Sequence, residues 1–221
     1  MRNGMLFALK LFTSAAAIRL RSAFCSTCVL VVGMVLMGCP APRPIKYYQL
    51  TYPGAALTAS DAIDTTIMVL ALEGSPLYLN NRIVYGFAGP EMGTYENERW
   101  AEPPVQIMQT ALIRGLRASG RFRGVYTIRS DANGRFVLGG YLYDFKEVDD
   151  ASSIVARLNY EVRLRDRKTS STVWSHTYAH DEPVAEKTVS AVVSAMDKNV
   201  QRSVQEVQAG LEEYFRSHPV N

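Results

Sequence analysis

Along residues 153–166, apolar and polar positions trade places one by one. Ile154, Ala156, Leu158, Tyr160, Val162 and Leu164 alternate with Val155, Arg157, Asn159, Glu161, Arg163 and Arg165. A period of two with one charged side predicts an antiparallel strand, dry on one face and wet on the other. Shorter strands are predicted over 46–50, 65–72, 124–129, 135–146 and 172–179. A hairpin pair is predicted over 82–87 and 94–100, around the breakers Gly89-Pro90 and Gly93. Residues 51–64, with Pro53-Gly54, read as a loop, and Arg167 to Ser171 as the turn between two strands. Gly139-Gly140 falls inside a strand, where it marks a bulge or a close backbone approach.

Two segments switch to a helical period. Pro103 and Pro104 suit a first turn, whose N–H groups have no intrahelical acceptor. Val105, Met108, Leu112 and Leu116 then recur at steps of three and four, Ile107 and Ala111 widen the face, and Gly120 supplies a stop. A longer stripe follows: Val189, Val193, Met196, Val200, Val204, Val207, Leu211 and Tyr214, with charged residues off it. Such a helix covers the dry face of a sheet. A coiled-coil seam is the alternative, because the spacing is close to that of a heptad. Sheet packing is favoured, since the alternating strands need an apolar cover and only two helices are available. The expected fold class is α+β: a mainly antiparallel β-sheet with two helices packed on one face, a single domain over 46–221. The pattern assigns no strand order.

The N-terminus follows a different logic. Arg2, Lys10, Arg19 and Arg21 precede an apolar run from Cys25 to Gly38 and stand without an acidic residue. The run is shorter than the roughly 20 apolar residues of a membrane span and matches a signal-peptide core. It closes on Leu36-Met37-Gly38-Cys39, the order of a bacterial lipobox, although Met37 is larger than the usual residue there. Residues 1–38 are therefore expected to be a lipoprotein signal peptide, with Cys39 the lipidation site. Its thiol would carry diacylglycerol and its amine a further acyl chain such as palmitate. An uncleaved anchor is the competing reading; the break into Pro40, Pro42 and Pro44 speaks against it. Residues 39–45 are expected to form a short tether.

Charge changes meaning once this segment is set aside. The chain has 24 basic and 21 acidic residues, and four of the basic ones precede Cys39, leaving 20 against 21. The near-neutral remainder carries no nucleic-acid footprint. Its single cysteine leaves stability to the core, which a chain of this length can build in one domain.

The search for chemistry is mostly negative. His176 and His180 are four apart in a strand-like segment, where that spacing does not build the one-face pair of a helix, and no cysteine lies near to complete a zinc site. No nucleophile elbow, phosphate-cradling glycine loop or dinucleotide fingerprint occurs. Glu147, Asp149 and Asp150 read as a solvated turn at a strand end. No catalytic residue, metal site or cofactor is expected beyond the acyl groups at Cys39, and the chain is not expected to be an enzyme.

Lys46-Tyr47-Tyr48-Gln49-Leu50, Asn81-Arg82-Ile83-Val84-Tyr85 and Tyr95 to Pro104, with Arg99, Trp100, Pro103 and Pro104 in place, occur in a recognisable order. Leu164-Arg165-Asp166-Arg167 and Trp174 follow. This arrangement resembles the ABC-type transport auxiliary lipoproteins, which include the paraquat-inducible protein C-like lipoproteins. The resemblance implies a non-enzymatic accessory component of an Mce-type ABC transport system that moves phospholipid or other hydrophobic cargo between membranes. It implies an outer-membrane anchor facing the periplasm, with the Mce-domain substrate-binding component as partner. Pro40, rather than aspartate, after the lipidated cysteine agrees with outer-membrane sorting. Tyr85, Tyr95, Arg99 and Trp100 are the candidate partner-binding residues. The competing role for these four is to hold the sheet to the first helix, and for Trp100 that role is preferred. A lipid-binding carrier and an activator of a cell-wall synthesis enzyme remain the alternative functions, and self-association is left open.

Overall fold

The computed structural model describes residues 43–52, 62–87, 89–150 and 152–220. The signal segment, Cys39, most of the tether and most of the 51–64 loop lie outside the described residues. The elements are β1 (Lys46–Tyr48), β2 (Ile63–Val69), β3 (Glu73–Gly74), a 3₁₀ turn (Pro76–Tyr78), β4 (Arg82–Phe87), β5 (Met92–Trp100), α1 (Pro104–Ala118), β6 (Phe122–Thr127), β7 (Phe136–Asp150), β8 (Ser153–Asp166), β9 (Ser171–Pro183) and α2 (Val189–Ser217). They build one α+β domain, a curled sheet of nine strands with the two helices on one side.

Strand β7 is the spine. One of its edges takes β2 at Phe136–Leu138, β3 at Tyr141–Leu142 and β4 at Lys146–Asp149, all in parallel. The other edge pairs antiparallel with β8 along its whole length, and β9 follows antiparallel on β8. β6 extends β2 in parallel, while β5 pairs antiparallel with β4 and takes β1 in parallel. The sheet is thus mixed, but the long ladders are the antiparallel ones.

The alternation read from residues 153–166 sets the two faces. Ala156, Leu158, Tyr160, Val162 and Leu164 are fully buried under the helices, and their polar neighbours look outward. Gly140 sits where a close approach is required: a Cβ there would lie 1.8 Å from the Glu161 carbonyl oxygen across the ladder. The bulge itself falls later, between Leu142 and Asp144.

α1 starts at two prolines, as expected, and Gly120 leaves it with φ 64°. α2 is capped by Thr188, whose hydroxyl accepts from the Ala191 N–H at 3.2 Å. It packs on β8, β9 and α1 rather than in a coiled-coil seam. Its buried stripe is rotated from the apolar one: Val192, Asn199, Ser203 and Phe215 are buried, whereas Val189, Val193 and Tyr214 are only half-buried. Asn199 is wholly buried and clamps the helix down. Its amide donates to the Ala156 and His180 carbonyls (2.9 and 3.0 Å) and its side-chain oxygen accepts from the Tyr178 hydroxyl (2.6 Å).

Among the described residues no helix is long and apolar enough to cross a membrane.

Candidate functional site

The helix-side face of β4 and β5 gathers part of the sequence-derived set. β4 and β7 run in parallel register, so Tyr85 stands beside Glu147. The Tyr85 and Tyr95 rings meet edge to face at 5.1 Å, and Tyr85 meets Phe87 at 6.0 Å. Gly93 makes room for the Tyr85 ring; a Cβ there would fall 2.5 Å from it. Phe87 is 53% exposed and belongs to this cluster. The sequence reading missed it, although its place two residues beyond Tyr85 on a strand was the available signal.

The Tyr95 hydroxyl donates to Glu147 Oε2 at 2.7 Å. Glu147 is only 5% exposed, which corrects the solvated turn expected for it. β7 runs on past Lys146 because its pairing with β8 continues to Asp150, so only Asp150 caps the turn, accepting from the Ser152 and Ser153 N–H groups at 3.0 Å. Burial pushes the Glu147 carboxyl above the usual carboxylate range, and the Asp149 charge adds to this against the opposing effect of the Tyr95 bond. The Tyr95 phenol is pushed up by burial and then by the same carboxylate. Lys187 approaches Asp149 instead, at 3.8 Å.

Arg99 and Trp100 are placed differently. The Arg99 guanidinium folds back onto its own strand and donates to the Tyr95, Glu98 and Glu96 carbonyls at 2.6, 2.8 and 2.9 Å. Trp100 is 1% exposed and packs edge to face on Phe145 at 5.3 Å, so it belongs to the core. The geometry therefore brings together Tyr85 and Tyr95, with Phe87 and Glu147, and turns Arg99 and Trp100 to structural contacts.

The opposite, helix-free face carries an open groove of about 1000 Å³. Tyr141, Tyr143 and Leu70 line one side, and Arg163, Arg165 and Arg167 the other. A smaller cavity of about 430 Å³ lies between α1 and α2 beside Tyr52, over whose ring the Arg114 guanidinium sits at 5.1 Å. Burial pushes the Tyr52 phenol up to about 12.

The two histidines share the helix-side face of β9 but do not come together as a pair. Four strand residues separate them by about 13 Å. His176 meets Glu206 at 3.3 Å, while His180 meets the Arg202 guanidinium, which also donates to Glu182 at 2.9 Å. Among the described residues no group of three or more His, Cys, Asp or Glu side chains is placed to hold a metal ion.

This architecture is shared with solved proteins. A protein from Xanthomonas campestris, described as family DUF330, superposes with a TM-score of 0.64 at 18% identity, over 75% of this chain and 93% of its own. An uncharacterized protein superposes with a TM-score of 0.60 at 12% identity, over 76% of this chain and 99% of its own. No curated protein matches the sequence. These likenesses establish a two-helix, curled-sheet fold. The description of the ABC-type transport auxiliary lipoprotein component matches residues 48–208, from β1 to deep in α2, and the chain belongs to that family.

Proposed function

We propose that the chain is a lipid-anchored accessory component of an Mce-type ABC transport system, held on the periplasmic side of the outer membrane and serving the passage of phospholipid or other hydrophobic cargo. The family match over residues 48–208 carries the reading. The lipobox ending at Cys39 and the near-neutral charge of residues 39–221 support the anchor and the exported setting. In this reading the lipid holds one end of the protein, and the Tyr85–Tyr95–Phe87 cluster receives the transporter's Mce-domain component. Half-exposed aromatic rings offer large contact area at small entropic cost, which is why such residues dominate interfaces.

Two experiments test it. Radiolabelled palmitate should enter the wild type and not a Cys39→Ser variant; equal labelling of both removes the anchor. A pull-down with the Mce component should retain the wild type and lose a Tyr85→Ala/Phe87→Ala variant whose circular dichroism is unchanged. Wild-type retention by that folded variant removes the surface, and failure of the wild type to bind removes the partner.

A further inference from the structure

The groove on the helix-free face has a chemistry of its own. Three guanidinium groups enter it from alternate positions of β8 and the turn beyond it. Arg163 is already occupied: it donates to both oxygens of Glu161 at 2.7 and 3.0 Å, and the Tyr143 hydroxyl shares that carboxylate at 3.3 Å. Glu73, the acidic residue on the lining, also bears on Arg163. The other two arginines are held by neutral oxygens alone. Arg165 Nε reaches the Ser170 carbonyl at 3.4 Å, and Arg167 Nη1 donates to Asn133 Oδ1 at 3.0 Å and the Gly134 carbonyl at 3.3 Å. Each keeps further N–H donors with no carboxylate to receive them among the described residues.

The facing wall is apolar. The Tyr141 and Tyr143 rings lie 5.0 Å apart, Leu70 and Tyr143 are 37% and 45% exposed, and Leu70 reaches across the strand where Gly139 has no side chain to block it. Ser170 closes the rim with φ 59°, a left-handed conformation that a non-glycine residue adopts under strain, and it turns its carbonyl toward Arg165.

Uncommitted guanidinium groups receive phosphate oxygens through charge-assisted, often paired, hydrogen bonds. Rings and an aliphatic side chain offer a hydrocarbon chain a dry wall. A bare phosphate ion would fill a small part of about 1000 Å³ and leave that wall wet. We propose that the groove binds an anionic phospholipid, with the phosphate on Arg165 and Arg167 and an acyl chain along Tyr141, Tyr143 and Leu70. This extends the transport reading to a lipid contact on this subunit, and it is independent of the β4–β5 surface.

Native mass spectrometry of the detergent-released full-length lipoprotein tests it, with dihexanoyl phosphatidylglycerol, dihexanoyl phosphatidylcholine and inorganic phosphate as probes. The anionic lipid should bind at roughly tenfold lower concentration than the choline lipid, and Arg165→Gln/Arg167→Gln should erase about tenfold of its affinity. Arg157→Gln, on the same face but paired with Asp181 at 2.7 Å, should leave binding unchanged. Tyr143→Ala should weaken the lipid without changing phosphate binding, which keeps the test open if the double variant does not fold. Equal binding of the two lipids overturns the role of charge. Displacement of the lipid by equimolar phosphate assigns the groove to a free anion and overturns the lipid. Full affinity in both variants overturns the location. A failed Mce pull-down leaves this titration standing, and a failed titration leaves the pull-down standing.

Discussion

Replacing Asn199 should loosen the second helix from the sheet. Its side chain makes three hydrogen bonds in a site with no solvent exposure, two to backbone carbonyls of β8 and β9 and one from Tyr178. Each neutral bond contributes about 1 kcal/mol net, so Asn199→Ala should cost about 3 kcal/mol. The Tyr178 hydroxyl would keep only its 3.3 Å contact with the Asn199 carbonyl oxygen. For a domain of this size the melting temperature should fall by about 6–12 °C. Asn199→Asp sharpens the argument. It keeps the shape but places a carboxylate against two carbonyl oxygens, so the buried group should stay protonated well above the unfolded-chain value of about 3.9. A folded-state pKa raised above the unfolded one gives stability that is present in acid and lost as pH rises. A protonated carboxyl offers one donor where the amide offered two, so the Asp variant should lie about 1 kcal/mol below the wild type at about pH 4 and lose about 1.4 kcal/mol more for each pH unit of the window above it. Urea unfolding followed by circular dichroism at several pH values, wild type beside variant, measures both effects. An alanine variant within about 0.5 kcal/mol of the wild type, or an aspartate deficit that does not grow with pH, would refute the clamp.

The same geometry sets further outcomes. Glu147 carries a raised pKa in the fold, so its contribution weakens as pH climbs from the ordinary carboxylate range through the raised value; Glu147→Gln should flatten that part of the stability profile, and an unflattened profile counts against the buried-carboxylate account. Tyr95→Phe removes the donor from that carboxylate and should cost about 1–3 kcal/mol in a denaturation curve. Gly140→Ala drives a methyl into the Glu161 carbonyl across the β7–β8 ladder, and should cost about 3 kcal/mol or prevent accumulation of folded protein. Ser170→Gly relieves the left-handed turn residue and should raise stability by about 1 kcal/mol, read as a higher melting temperature.

The elements were legible where one face is apolar and the other is not. β8 and α1 fall where periodicity put them, because burial there is carried mostly by apolar side chains, with the Tyr160 phenol and Asp166 at the end of β8 as the polar exceptions. Legibility drops where polar groups are buried. The helix-side face of β9 is Trp174, His176, Tyr178, His180 and Glu182, which meet Gly210, Glu206, Asn199 and Arg202 of α2. An apolar count could not see that face, so β9 was expected to end at 179 and runs to Pro183. Asn199 and Ser203 are hidden in the α2 stripe for the same reason. In the candidate site, Tyr85 and Tyr95 were singled out as candidate partner-binding residues, but Glu147 was not. Its burial depends on the parallel register of β4 on β7, and no local pattern reports which strands share an edge. Of the groove's arginines, Arg163 and Arg165 were read as the wet side of a strand and Arg167 as the start of a turn, since a pattern assigns exposure without saying what shape the exposed surface takes.

The shared edge of β7 also constrains how the molecule comes into being. Three strands from the first two-fifths of the chain dock on a template supplied only by residues 136–149. Pairings so distant in sequence slow folding, because loop closure is paid for before contacts return anything. A polypeptide delivered amino end first would hold β2, β3 and β4 without that partner until its later half arrived, so assembly of the sheet is a late event that starts when β7 emerges to join the β2–β6 and β4–β5 pairs and ends only when β8 and β9 have followed it.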